Sequence, residues 1–109
     1  MTWKTQPLFP HPLSKSKVNE DVCEILVEML PDYEFGEDEG GLSAVTINKH
    51  VLHNKPAVLD YFTRRVRQCI CELGYHCDVQ ITTSWFTVTM PGGSADEHAH
   101  CNSWFSGVV

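Results

Sequence analysis

No stretch of this 109-residue sequence reaches the roughly 18 consecutive apolar residues that a membrane-spanning helix needs. Its first residues also lack the continuous apolar segment of a secretory signal. Basic residues are few, with 8 Lys and Arg against 14 Asp and Glu, and the formal net charge is −6. Binding to phosphates needs clustered positive charge. We therefore expect a soluble chain that contacts neither membrane nor nucleic acid.

Cysteine is present, but without the regular spacing of a disulfide framework. The 5 cysteines are an odd number, and no export signal accompanies them. Such thiols stay reduced inside the cell, so a cytoplasmic location is predicted. Cys69, Cys71, His76 and Cys77 form a C-x-C-x4-H-C cluster. This cluster is either a zinc site or, because paired C-x2-C units are missing, a set of packing cysteines.

Two amphipathic helices are predicted before a β-rich second half. The first begins after Asn19, a suitable N-cap residue, and ends at Pro31, with apolar residues at helical spacing between them. The second begins after Asn54, which is also a good N-cap, and tolerates Pro56 in its first turn. It ends at Gly74, a residue typical of helix C-termini.

The remaining segments predict loops and strands. The proline-rich N-terminus is predicted to be extended, and the acidic segment 31–41 to be a solvated loop rather than a metal site. Short strands are predicted at 42–47, within 77–90 and at 103–109, where apolar and β-branched residues occur. A turn is predicted at 91–93.

The sequence has two closely spaced histidine pairs, and the one at 98–100 is the candidate for metal binding. His98 and His100 are two residues apart, a spacing that points both imidazoles the same way in an extended segment. Imidazole suits iron, zinc, copper and nickel. The neighbouring Asp96 and Glu97 are either hydrogen-bond partners of these rings or surface charges. His50 and His53 are three apart, but no third ligand accompanies them, which favours ordinary loop histidines.

The order of motifs resembles one enzyme family. A Trp-bearing strand at 84–85 leads to the glycine turn at 91–93, then to the H-x-H pair at 98–100, and then to 102–108, which reads NSWFSGV. These features are similar to those of the Fe(II)/2-oxoglutarate-dependent oxygenases common in marine bacteria and their phages. The segment LFP at 8–10 and the long helix before the strands also look like that family.

The resemblance implies an α+β fold: a double-stranded β-helix, which is a jelly-roll or cupin-like barrel, with two N-terminal helices packed on its sheet. A jelly roll needs about eight strands, and about four are predicted here. Residues 1–109 are therefore expected to form an incomplete barrel, the single N-terminal part of an oxygenase-like domain whose C-terminal strands are absent.

The same resemblance implies a site for Fe(II) and the cosubstrate 2-oxoglutarate. His98 corresponds to the first iron ligand, and His100 stands where many relatives carry the acidic residue of a two-histidine, one-carboxylate triad. Of the aromatic pair Trp85 and Phe86, Trp85 is assigned to the wall of the cosubstrate pocket and the other to the core. Ser106 is assigned a contact with 2-oxoglutarate.

In that family the distal iron histidine and the basic residue that binds the 2-oxoglutarate carboxylate come later than Val109. We therefore expect no turnover by the isolated chain, and hydroxylation of a substrate once a complementing C-terminal fragment or a second copy supplies the missing half. The other interpretation is a non-enzymatic interaction or assembly module built on a half barrel, whose open sheet edge is capped by self-association. Affinity for Fe(II) separates the two.

Overall fold

The structure is a computed structural model that describes residues 13–37, 42–94, 100 and 103–109. Most of the proline-rich N-terminus, residues 38–41 of the acidic segment and His98 lie outside the described residues. The helices and strands, in chain order, are α1 at Glu20–Met29, β1 at Phe35–Glu37, β2 at Ser43–Thr46, α2 at Pro56–Glu72 and β3 at Thr87–Thr89. In the described chain, neither helix combines the length and hydropathy of a membrane crossing.

Helix α1 confirms the first predicted helix. The side chain of Asn19 caps it by accepting a hydrogen bond from the backbone N–H of Asp21 at 2.8 Å. Glu20 and Asp21 place negative charge in the first turn, where it interacts favourably with the positive end of the helix dipole. The helix gives way to a 3-10 turn at Leu30–Asp32, which contains Pro31. Local sequence signals therefore account for both ends of α1.

Helix α2 confirms the second predicted helix, but the predicted cap is wrong. Lys55 is its N-cap and makes no side-chain capping hydrogen bond, while Pro56 occupies the first turn. Asn54 lies in the preceding 3-10 turn, Val51–Asn54, and its Nδ2 donates to the hydroxyl of Tyr33 at 3.0 Å. The tertiary contact with Tyr33 takes the side chain that the sequence pattern assigned to capping.

Gly74 ends α2 as predicted. Its φ angle is 95°, and its N–H donates to the carbonyl of Cys71 at 2.9 Å. The N–H of Tyr75 donates to the carbonyl of Ile70 at 3.1 Å. This pair of hydrogen bonds is the Schellman arrangement, which satisfies carbonyls that the last helical turn leaves unpaired.

Replacing Gly74 with alanine is expected to lower the free energy of unfolding by about 1 kcal/mol, because a Cβ makes a positive φ costly. A Cβ at this position meets no atom within 4 Å, so the cost is conformational rather than steric. Urea denaturation followed by circular dichroism measures it. Gly107→Ala is the matched control, since a Cβ there is also unobstructed and no positive φ is involved. Equal stability of the two variants would contradict the expectation.

Two arginines of α2 connect this helix to the segment before α1 and to the segment after α2. Arg65 donates to the hydroxyl of Ser16 and to the carbonyl of Lys17. Arg67 donates through Nε to the carbonyl of Val79 at 3.1 Å and forms an ion pair with Asp78 at 2.9 Å. Arg65, which is half-buried, and Arg67, which is exposed, thus both hold backbone of neighbouring segments.

The three strands form one antiparallel sheet in the order β1–β2–β3. Gly36 of β1 pairs with Val45 of β2, and Val45 also pairs with Thr87 of β3. Strand β2 confirms the strand predicted at 42–47. The loop predicted for 31–41 is wrong at Phe35–Glu37, because pairing with β2 draws these residues into the sheet.

The other predicted strands are only partly present. Within 77–90 the structure has β3 and, before it, a single parallel bridge between His50 and Ser84. The turn at 91–93 is confirmed, with the N–H of Gly93 donating to the carbonyl of Met90 at 2.9 Å. The strand predicted at 103–109 is wrong, since this segment has no regular structure and its residues are exposed. Its β-rich composition finds no partner strand in the described chain.

The core is small and lies where the turn before α2 meets the helix and the sheet. Val51, Val58 and Ile70 are each only 2% exposed, and the side chain of Thr46 on β2 is fully buried. The exposed apolar side chains include Ile47 and Val88 of the sheet region. The described elements are two helices and a three-stranded antiparallel sheet; the incomplete jelly roll stays a prediction.

Candidate functional site

Ser84 is the residue that fixes the backbone leading into the Trp-bearing segment. Its N–H donates to the carbonyl of Lys49 at 2.8 Å, and its carbonyl accepts from the N–H of Val51 at 3.2 Å. Its hydroxyl accepts from the N–H of Leu52 at 3.0 Å. Two of the three polar groups of Ser84 therefore bond to the turn before α2 and the third bonds to Lys49, so the following residue, Trp85, begins from a fixed position.

Thr46 fixes the other side of Trp85. Its hydroxyl donates to the carbonyl of Asn48 at 2.8 Å and accepts from the N–H of Phe86 at 3.2 Å. Its own N–H donates to the carbonyl of Phe86 at 3.0 Å. The backbone of Trp85 is thus held between two residues that are each bonded to the rest of the fold, Ser84 before it and Phe86 after it.

The candidate site is the group formed by Trp85, His100 and Lys49. The ring centroids of Trp85 and His100 are 5.9 Å apart, with 43° between the ring planes. The ammonium of Lys49 lies 5.7 Å from the centroid of the Trp85 ring, and it donates to the carbonyl of Thr46 at 2.7 Å. Trp85 is 40% exposed, so its indole remains accessible to a ligand. An aromatic wall, an imidazole and a positive charge therefore lie together at the surface.

The structure brings together only some of the residues that the sequence pointed to. His100 and Trp85 are in contact, as described above, while His98, Asp96 and Glu97 lie outside the described residues. Ser106 is exposed, in the segment that Phe105 attaches beyond the end of α2. The attachment is a contact between the rings of Phe105 and Tyr75, whose centroids are 5.9 Å apart.

Lys49 is the member of the site that the sequence analysis missed. Periodicity gives no reason to single it out, because it lies in the short connection between β2 and the turn before α2. Its contact with Trp85 depends on Ser84, whose N–H bonds to the Lys49 carbonyl across a long stretch of chain. A pairing of this kind leaves no local signal in either segment.

Metal ligation by the C-x-C-x4-H-C cluster receives no support. All four residues lie in the described chain, where no three His, Cys, Asp or Glu side chains are grouped in a way that holds a metal ion. Cys69 is half-buried on α2, while Cys71 and Cys77 are exposed free thiols. The described geometry therefore favours packing for Cys69. For Cys71 and Cys77, which are exposed, it supports neither packing nor zinc binding.

Comparisons of the chain with protein-family models, with curated proteins and with solved structures found no match.

Proposed function

We propose that this chain forms the iron-binding part of an Fe(II)/2-oxoglutarate-dependent oxygenase, with His98 and His100 as imidazole ligands. The supporting observation is the contact between His100 and Trp85 at 5.9 Å. It puts the second histidine of the H-x-H pair beside the Trp-bearing segment that precedes it in the motif. Two of the residues that the proposed site needs close together, Trp85 and His100, are thus in contact.

The chemical character of the site suits these two ligands. Imidazole nitrogen is a favourable donor for Fe(II), and a facial triad leaves positions open for a cosubstrate. The cosubstrate 2-oxoglutarate carries two carboxylates, and the ammonium of Lys49 beside Trp85 offers one of them a positive charge. Trp85 then forms an apolar wall, and Ser106 is the proposed hydroxyl contact. Bound iron with 2-oxoglutarate would supply the oxygen activation for a hydroxylation.

The proposal also includes a partner. A facial triad takes three protein donors, whereas two imidazoles are proposed here. We assign the third donor, and a stronger grip on the cosubstrate carboxylate, to a complementing C-terminal fragment or a second copy of the chain. On this proposal the chain alone binds Fe(II) but releases no succinate from 2-oxoglutarate, and succinate appears when the partner is added.

Anaerobic calorimetric titration with Fe(II) tests the ligand assignment. We expect His98→Ala and His100→Ala each to lower Fe(II) affinity at least about tenfold, because each removes one of two imidazole donors. His76→Ala is the matched control: His76 is exposed and lies outside the H-x-H pair, so affinity should be unchanged. Unaltered affinity in both H-x-H variants would contradict the proposal.

The alternative is a self-associating interaction module, and the exposed apolar side chains favour it. Trp104 is 83% exposed and Val108 fully exposed, and all three residues of β3 are exposed. A sheet edge of this kind is a ready template for pairing with another strand. Size-exclusion chromatography with light scattering separates the proposals: a stable dimer that binds no Fe(II) supports the module, and a monomer that binds Fe(II) excludes it.

A further inference from the structure

A second pair of histidines, His50 and His53, lies at the turn before α2. The N–H of His53 donates to the carbonyl of His50 at 3.1 Å, which closes the 3-10 turn. Side chains three residues apart eclipse one another in 3-10 geometry. Accordingly, the two imidazole centroids are 5.7 Å apart, with the ring planes at 87°. Both residues are exposed, so the two rings meet edge to face at the surface.

The ring of His50 is oriented by a hydrogen bond. Its Nδ1 lies 3.0 Å from the carbonyl oxygen of Thr82. A carbonyl oxygen can only accept, so Nδ1 carries the proton, and in the neutral ring Nε2 carries the lone pair. Metal-binding histidines are held in this way, with one ring nitrogen donating to a carbonyl and the other left for the ion. The backbone is fixed as well, since the N–H of His50 donates to Oδ1 of Asn48 at 2.7 Å.

The spacing of the rings suits a shared ion. With metal–nitrogen distances of about 2.0–2.1 Å, an ion lies ~3.2 Å from each ring centroid. Two rings that share a tetrahedral ion then have centroids ~5.2 Å apart. The largest possible separation is ~6.4 Å, when the two rings lie on opposite sides of the ion. The observed 5.7 Å between His50 and His53 falls inside this range. The separation of the two rings therefore matches that of two imidazoles on one ion.

We propose that His50 and His53 bind one divalent cation of the borderline class, such as Ni(II), Zn(II) or Cu(II). Neutral imidazoles select these ions over Mg(II) and Ca(II), which prefer oxygen donors. No further His, Cys, Asp or Glu of the described chain completes a three-residue group here. Water or an external anion therefore fills the remaining positions, and the site uses neither His98 nor His100.

Ni(II) is the probe for this site, because imidazole suits it and the chain's thiols compete more strongly for softer ions. Calorimetric titration of the reduced full chain should show binding that falls at least about tenfold in His53→Ala, since one of two donors is lost. His53→Ala is the deciding variant; His50→Ala also removes the bond to Thr82 and is examined alongside it by circular dichroism.

Two controls make the result specific. His76→Ala should bind Ni(II) with the affinity of the wild type. The His98→Ala/His100→Ala double variant should keep the part of the Ni(II) binding that is lost in His53→Ala. The proposal is overturned by a His53→Ala variant that keeps wild-type affinity. It is also overturned if all Ni(II) binding disappears in the double variant, because the ion would then belong to the H-x-H pair.

Discussion

Replacing Ile70 with alanine is expected to lower the free energy of unfolding by about 2–4 kcal/mol, because the change removes buried methyl groups and leaves a cavity. Ile70 is 2% exposed and belongs to a small core. Small domains are marginally stable, so a loss of this size is a large share of the total. We expect a clearly lower urea midpoint and melting temperature by circular dichroism.

Leu73→Ala is the matched control for this prediction. Leu73 follows Ile70 on the same helix end but is 38% exposed, so its truncation removes less buried surface. We expect it to cost less than half as much as the Ile70 variant. Similar losses at the two positions would show that the core is not where the structure has it.

Replacing Thr46 with valine is expected to lower the free energy of unfolding by about 2 kcal/mol, because the shape is kept while a hydroxyl with two hydrogen bonds is lost. The side chain is fully buried, and its hydroxyl joins the carbonyl of Asn48 to the N–H of Phe86. Valine leaves the Phe86 N–H without this acceptor in a half-buried position. Urea denaturation measures the difference.

Thr87→Val provides the comparison for Thr46→Val. Thr87 lies on β3 with its side chain exposed, and the same substitution there should change the stability by no more than about 0.5 kcal/mol. The prediction fails if both variants have the same stability as the wild type. That result would mean that the Thr46 hydroxyl does not hold the Trp-bearing segment in place.

Helix positions were predictable because their signals are local. The cap at Asn19, the apolar spacing of α1 and the glycine at the end of α2 each act within a few residues of the helix they define. Asn54 shows where local reasoning ends. Its side chain donates a hydrogen bond to Tyr33, 21 positions away, and a capping pattern cannot predict such a contact.

Strands were harder to predict because a strand exists only with its partner. Phe35–Glu37 looks like part of an acidic loop until it pairs with β2. Residues 103–109 have the composition of a strand, but the described chain offers them no partner. β-propensity describes how well a residue fits a sheet, and it does not supply the sheet.

In the candidate site, too, some residues could be predicted from local sequence and one could not. Trp85 and His100 were predicted from the motif order, and their rings are in contact. Lys49 was not predicted, because the hydrogen bond from the N–H of Ser84 to the Lys49 carbonyl, which joins distant parts of the chain, brings it to Trp85. Motifs therefore identified the aromatic ring and the imidazole, whereas the nearby positive charge emerged from the fold.

The proposal that His98 and His100 hold iron beside Trp85 is tested most directly by anaerobic nuclear magnetic resonance with Fe(II). Paramagnetic Fe(II) broadens signals of nearby nuclei, so the indole N–H of Trp85, assigned with Trp85→Phe, should broaden when Fe(II) is added and stay sharp with Mg(II). We predict the same broadening in a His50→Ala/His53→Ala variant and none in His98→Ala/His100→Ala. An unbroadened Trp85 signal in the wild type, or equal broadening without the H-x-H pair, would contradict the iron site.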